Sequence, residues 1–319
     1  MIVARAQPVL ITSVLFTSLA FVTVCMRLYA RVVLVRYAGA DDYLMIASAC
    51  ASIGYMVVII HQIKFGLGTH LETIPPENAI RFFQSLWATI PVYNLALVLC
   101  KLSIVFQYKR VFAITSIQKL CSITIGVLAV YGCWTVLGST FMCIPVKFFW
   151  GEGEGTCMNR LAFWFSNAAL NIASDLFIFG IPLPLLQKLQ IPKTQKIILM
   201  VIFAFGLFVC ITSIVRLRSL LDISVSPDSS FDGVNIAIWS GVEINVAIIC
   251  SSVPALNPLI KAAFPRLLGS NGSTVKHTGR SHTGYLKHES DHPMQSMASQ
   301  TKPTGIRIDQ TYEVHVGQA

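Results

Sequence analysis

Residues 120–142 read LCSITIGVLAVYGCWTVLGSTFM, a stretch with no Asp, Glu, Lys, Arg or His. An α-helix needs about 20 apolar residues to cross a hydrocarbon core of ~30 Å. In that solvent only helices and closed barrels satisfy their own backbone polar groups. Barrel strands alternate lipid-facing and interior residues, so unbroken apolarity of this length excludes them. The stretch therefore predicts a transmembrane helix. Three more of the same kind precede it, at Val9–Val35, Tyr43–Ile63 and Phe82–Gln107, and three follow, at Leu161–Leu186, Ile197–Leu221 and Val234–Ile260. The sequence predicts an all-α membrane protein with seven transmembrane helices.

Composition agrees with a membrane bundle. Only 12% of the 319 residues are charged and 54% are hydrophobic, against about 25% charged in a soluble domain. A net charge of +9 raises the question of nucleic acid. The Lys and Arg residues sit at span ends and form no contiguous face, so the charge is read as topology and no nucleic-acid partner is expected. Arg27, Arg31 and Arg36 lie between spans one and two, and Lys109, Arg110 and Lys119 between three and four. Lys188, Lys193 and Lys196 lie between five and six, and Lys261 and Arg266 follow span seven. The alternate loops are acidic, with Glu72, Glu77, Glu152, Glu154, Asp222, Asp228 and Asp232. Basic loops stay cytoplasmic, so residues 1–8 are expected outside as a short N-terminus. Residues 9–266 form the bundle. The Ser-, Thr-, Gly- and His-rich residues 267–319 are read as a disordered cytoplasmic tail, since they hold too little apolar surface to offset ordering entropy. The irregular spacing of the tail histidines gives no reason to expect a metal.

Seven of the nine cysteines fall in or at the edge of spans, where Cys serves as a small apolar residue. Cys143 and Cys157 instead flank the loop between spans four and five, on the outer face. There they can oxidise to a disulfide or remain two free thiols.

Ionisable groups inside a span are costly and mark functional candidates. Trp87, Asn94, Lys101 and Tyr108 recur every seven residues on span three and share one helix face. Asn167, Asn171, Ser174 and Asp175 make a stripe on span five. Span seven carries Ser240 and Glu243, with Asn245 turned to the other side, and span six ends with Arg216 and Arg218. At ~1.5 Å per residue, matched depths pair Arg216 with Glu243 and Lys101 with Asp175. Such pairs fix helix register or contact a ligand, and both readings stand. Asp41-Asp42 at the start of span two face that helix's own N-terminal amides and dipole. The chain shows no phosphate-binding Gly loop, no zinc-protease helix and no nucleophile elbow, so no enzyme is expected. Span seven has no mid-membrane Lys to carry retinal, and no cofactor is expected.

Taken in order, several short motifs resemble one family. They are Arg27-x-Tyr29-x-Arg31, Gly39-Ala-Asp41-Asp42-Tyr43, Gly66-Leu-Gly68-Thr-His70, Lys101-Leu-Ser103 and Tyr108-Lys-Arg110-Val-Phe112. Cys143-Ile-Pro145 with Trp150 and Cys157, Asn171-x3-Asp175, Ile181-Pro182-Leu-Pro184 with Leu189-Gln190, Arg216, Trp239-x3-Glu243 and the Pro254 region follow. Over residues 10–265 the chain resembles fungal rhodopsin-domain integral membrane proteins, which include satratoxin-cluster-type proteins and receptor-like proteins of the Pth type. The resemblance implies a rhodopsin-like seven-helix bundle without retinal, and a Cys143–Cys157 bridge.

These readings lead to a multi-pass receptor-like protein of the plasma membrane. It is expected to bind a small ligand through Asn94, Asn171, Asp175, Arg216 and Glu243 and to signal at its cytoplasmic face. Lys109, Arg110, Lys193 and Lys196 are the expected contacts for a partner such as a heterotrimeric G protein. A small-molecule or proton-coupled transporter with Lys101, Asp175 and Glu243 as its relay, or a membrane scaffold, are the alternatives.

Overall fold

The structure is a computed structural model that describes residues 4–112, 114–182, 206–221, 228–256 and 259. These residues belong to one compact unit, Met1–Ser270. The second unit, Asn271–Ala319, lies outside the described residues, and with it the expectation of a disordered tail.

The unit is helical. Helix α1 spans Gln7–Tyr29 and runs on through a π-helical stretch, Ala30–Leu34. Helices α2 (Ala40–Lys64), α3 (Pro76–Val111), α4 (Thr115–Thr140) and α5 (Arg160–Gly180) follow. Residues 206–221 form helix α6, and α7 spans Ser229–Ser252 before a 3-10 segment, Val253–Leu256, that contains Pro254. Among the described residues, six stretches are long and apolar enough to cross a membrane: Gln7–Leu34, Ala40–Lys64, Pro76–Val111, Thr115–Thr140, Arg160–Gly180 and Ser230–Leu256. Residues 183–205, which precede α6, are outside the described residues, and so are Asn257 and Pro258.

Several boundaries differ from the apolar runs. Helix α3 begins at Pro76, well before Phe82, and ends at Val111, past Gln107. Polar residues at a helix end need only backbone bonding and an exposed side chain, so hydropathy alone undershoots the helix. Pro91 within α3 has no N–H to give the carbonyl of Trp87.

The helices have the inverted polarity expected in lipid. On α4, Ile123, Val127, Val130, Trp134 and Leu137 lie outward at helical spacing, with Val130 73% exposed, while Thr124, Gly132, Thr135 and Ser139 are buried. In water such an apolar stripe would drive aggregation, whereas hydrocarbon solvates it. Small inward residues let helices approach closely. A Cβ on Gly132 would come within 2.6 Å of Val98 Cγ1 on α3. Helices α3 and α7 are central: 50% and 67% of their apolar windows are buried, against 28% for α1, α4 and α5. Helix α3 packs along α2 and α4, and α1 packs along α7.

At one end of the bundle a two-residue hairpin, β1 (Cys143–Ile144) and β2 (Thr156–Cys157), pairs Cys143 with Cys157 and carries the disulfide between them. At the same end Gly66 and Gly68 take φ of 125° and 88°, which a Cβ would resist. Their turn brings Gly68 N to the carbonyl of Ser230 at 2.9 Å and so ties the α2–α3 loop to the start of α7. The opposite end carries Arg27, Arg31 and Arg110.

Candidate functional site

Two groups of buried charge organise the interior. The first is at the basic end. Arg27 is 0% exposed, and each of its three nitrogens has an acceptor. Nε donates to Asp42 Oδ1 at 2.9 Å and Nη2 to Asp41 Oδ2 at 2.8 Å. Nη1 donates to Gln107 Oε1 at 3.2 Å and to the Ser251 carbonyl at 3.0 Å. Arg110 Nη1 adds a contact of 3.3 Å to Asp41 Oδ1, and the Arg110 guanidinium carbon lies 4.5 Å over the Tyr37 ring. Arg31 stands farther off, at 3.8 and 3.9 Å from the two carboxylates. Ser103 Oγ donates to the Asp41 carbonyl at 2.6 Å. This group joins α1, α2, α3 and α7.

Two expectations change here. Arg27, counted among loop cations, is a fully buried interhelical residue. The Asp41-Asp42 doublet does meet its own helix start, with Gly39 N donating to Asp42 Oδ2 at 3.1 Å. Its short contacts to Arg27 are the larger part of its chemistry, because a charged donor bonds a carboxylate more strongly than an amide does.

The second group lies mid-bundle. Lys101 Nζ on α3, 4% exposed, lies 3.1 Å from Asp175 Oδ1 on α5. It also donates to Asn171 Oδ1 at 2.7 Å, the Asn171 carbonyl at 2.8 Å and Ser174 Oγ at 2.7 Å. Glu243 on α7, 0% exposed, accepts from Tyr93 Oη at 2.6 Å, Asn171 Nδ2 at 2.9 Å and Ser213 Oγ at 2.5 Å. Arg216 Nε on α6 lies 2.8 Å from Glu243 Oε2, and its guanidinium sits 4.7 Å over the Tyr93 ring. Ser213 Oγ is also 3.4 Å from Asp175 Oδ2, so one hydroxyl proton stands between the two carboxylates. Two cations and two anions balance, which is how a dry interior tolerates charge.

Beside this belt, Asn167 Nδ2 donates to Asn94 Oδ1 at 2.8 Å, and Tyr131 Oη donates to Asn167 Oδ1 at 2.9 Å. All five residues expected at a ligand site, Asn94, Asn171, Asp175, Arg216 and Glu243, thus fall in or next to one network. Asn245 turns away, bonded to Ser52 and Thr17 on α2 and α1.

Polar matching is incomplete in this group. The ion pair of Arg216 with Glu243 is close but out of line, so among the described residues Arg216 Nε and Nη2 have no hydrogen-bond partner, and neither does Asn94 Nδ2. Each such buried donor costs about 1–3 kcal/mol. Two cavities flank the belt. One of about 160 Å³ lies toward the disulfide and is bordered by Tyr93, Asn94, Phe149, Arg160, Trp164 and Arg216. The other, of about 90 Å³, lies toward the basic end and is bordered by Lys101, Gln107, Tyr108, Asp175, Glu243 and Pro254. No described residue borders both.

Among the described residues there is no group of His, Cys, Asp and Glu able to hold a metal. Of the expected partner contacts, Lys109 and Arg110 are half-buried at the end of α3, and Arg110 is engaged with Asp41 and Tyr37. Lys193 and Lys196 lie outside the described residues.

Residues 26–262 match the model of the fungal rhodopsin domain. The chain belongs to that family. It is a multi-pass membrane protein, and its Cys143–Cys157 bridge joins the ends of the α4–α5 loop. It is similar to a polyenoic acids biosynthesis gene cluster protein of Metarhizium anisopliae, 27% identical over 81% of this chain and 75% of that protein. It is also similar to a SAT4 family membrane protein of Emericella nidulans, 29% identical over 66% of this chain and about half (54%) of that protein's length. A third relative, the receptor GIN3 of Arthrobotrys oligospora, is 22% identical over 91% of this chain and 73% of the receptor.

Sequence reasoning missed Tyr93, Tyr131 and Ser213, the neutral hydroxyls that complete the belt. A Tyr or Ser in an apolar span gives no depth or charge signal of its own. The burial of Arg27 does carry a sequence signal: two acids at the start of span two need a cation at the same depth on a neighbouring helix.

Proposed function

We propose that this family member is a seven-span receptor, N-terminus outside and C-terminus cytoplasmic, that binds a small ligand in the cavity on the disulfide side. Ligand binding is coupled to the basic end through the Lys101–Asp175–Ser213–Glu243–Arg216 belt. The observation that carries this is the cavity of about 160 Å³ bordered by Arg216, whose buried partner Glu243 also bonds α3 through Tyr93 and α5 through Asn171. A ligand that moves Arg216 changes a contact shared by four helices, and packed interfaces convert small shifts into discrete rearrangements. A disulfide at the cavity end suits an oxidising exterior, and Arg27, Arg31, Lys109 and Arg110 at the other end suit the cytoplasm. The similarity to a protein named as a receptor points the same way. In this reading the apolar run Ile197–Leu221, whose described part is helix α6, is the span that completes seven.

A second reading has its own support. Two cavities with no shared lining, on opposite sides of a belt holding two carboxylates, are also what an alternating-access carrier requires. The separating experiment uses the full chain in two formats. Recruitment of a Gα subunit that depends on an added small molecule, without flux into proteoliposomes, supports the receptor. Flux abolished by Asp175→Asn, with no recruitment, supports the carrier and overturns the receptor.

A further inference from the structure

The cavity on the disulfide side has a one-sided chemistry. Asn94 Nδ2, Trp164 Nε1 and Arg216 Nη2, all on residues that border it, are buried donors without a partner among the described residues. Among the described residues bordering it, no side-chain acceptor is left in that state. Asn94 and Arg216 are themselves 4% and 7% exposed. The charge is one-sided too. Arg160 and Arg216 border the cavity, and among the described residues no Asp or Glu does. Glu243 stands behind Arg216 and cancels its charge. Arg160 has no carboxylate partner among the described residues and rests 4.7 Å from the Phe149 ring. One positive charge remains.

Geometry groups the donors. Arg160 and Trp164 are four residues apart on α5 and share a face. A guanidinium and an indole N–H side by side match the two oxygens of a carboxylate. The wall is otherwise largely apolar, through Phe83, Leu86, Ile90, Ile236 and Leu220. Its volume of about 160 Å³ is close to the ~150 Å³ of a dry apolar cavity that accepts benzene.

We propose that this cavity binds a small monocarboxylic acid with a ring-sized apolar body. The carboxylate is held by Arg160 and Trp164. The body fills the apolar wall, and a second oxygen on the far side of the ring meets Asn94 and Arg216. A dianion is disfavoured because only one positive charge is uncompensated. An amine is disfavoured because no orphan side-chain acceptor and no Asp or Glu borders the cavity among the described residues. The proposal rests on the small-ligand reading above and gives that ligand a chemical class.

The test uses the full chain in lipid nanodiscs, with thermal unfolding followed as each probe is titrated. The probes are benzoate and 4-hydroxybenzoate, with benzamide, methyl benzoate and benzylamine as matched neutral and cationic controls. The expected result is a saturable rise in Tm with the two carboxylates, 4-hydroxybenzoate binding the tighter. The neutral and cationic probes bind at least tenfold more weakly. Arg160→Gln weakens benzoate at least tenfold and Arg160→Lys restores part of the loss. Trp164→Phe, which keeps the ring and removes the N–H, weakens it several-fold. Benzamide or methyl benzoate binding as tightly as benzoate would overturn the charge assignment. Benzoate binding unchanged by Arg160→Gln would overturn the site. In either case the small-ligand reading survives if the binding seen is lost in Ile90→Trp, which fills the cavity. No saturable shift with any probe class would end both.

Discussion

At the basic end of the bundle Arg27 gives every nitrogen to a protein acceptor. At mid-bundle Arg216, also buried and also paired with an acid, leaves Nε and Nη2 without a hydrogen-bond partner among the described residues and borders a cavity. The residue types are the same in the two places. The difference is in completeness: a buried ion pair repays its desolvation only when the remaining donors are also matched. The basic-end group meets that condition except at Arg31 Nε, on its rim, and it acts as a fastener for α1, α2, α3 and α7. The mid-bundle group keeps unmatched donors, which in the proposed reading a ligand matches.

The comparison can be broken most sharply at the fastener. Asp41→Asn combined with Asp42→Asn leaves Arg27 with no carboxylate at the basic end among the described residues. A buried charge left without its partner costs about 3–5 kcal/mol, so little monodisperse protein is expected on size-exclusion chromatography. Wild-type yield and Tm would make the fastener dispensable. Next in size is the disulfide, whose loop separates its cysteines by 14 residues and holds Phe149 at the cavity wall. Replacing both cysteines by Ser is expected to cost about 3 kcal/mol in the chain-entropy view, read as an equally lowered Tm for the wild type under reduction and for the variant.

A smaller effect is expected at the belt. Asn94→Leu removes an orphan donor and also an acceptor for Asn167, so opposing changes leave stability within about 1 kcal/mol, measured by thermal melt. A loss as large as that of the acidic double variant would show that the mid-bundle group is a fastener too. The smallest effect is expected at the loop end of α7. Burial pushes the Asp228 carboxyl up, but hydrogen bonds from His70, Ser230 and the Leu71 and Phe231 amides outweigh it and hold the carboxyl below its ordinary 3.8. A folded-state value below the unfolded one stabilises above about pH 4 and is lost as pH falls through the lowered value. Asp228→Asn is therefore expected to flatten the acid side of the Tm–pH curve, with no change near pH 7 in that contribution's pH slope.

Much of the architecture was legible because lipid imposes one rule on every span. The apolar runs located six of the helices, with about half of their ends within three residues. The exceptions were ends such as Pro76, where hydropathy stops but hydrogen bonding continues. That Lys101 meets Asp175 and Arg216 meets Glu243 follows from depth at a fixed rise per residue. The rest of the belt was not legible. Tyr93 and Ser213 reach Glu243 only through the rotation of α3 and α6 about their axes, which packing fixes and composition does not report. Arg27 misled for a related reason. Near a span end an Arg can snorkel to water or turn inward, and the partner decides which. The cavities lay beyond any linear pattern, since each draws its lining from several helices.

The most direct test is a paired melt of the full chain in nanodiscs, Arg27→Met against Arg216→Gln. Arg27→Met is expected to show the clearly larger Tm loss, because two buried carboxylates lose their best donor. Arg216→Gln should lose less, because Glu243 keeps the Tyr93, Asn171 and Ser213 donors. An equal or larger loss for Arg216→Gln would contradict the division of this bundle into a fastener and a site.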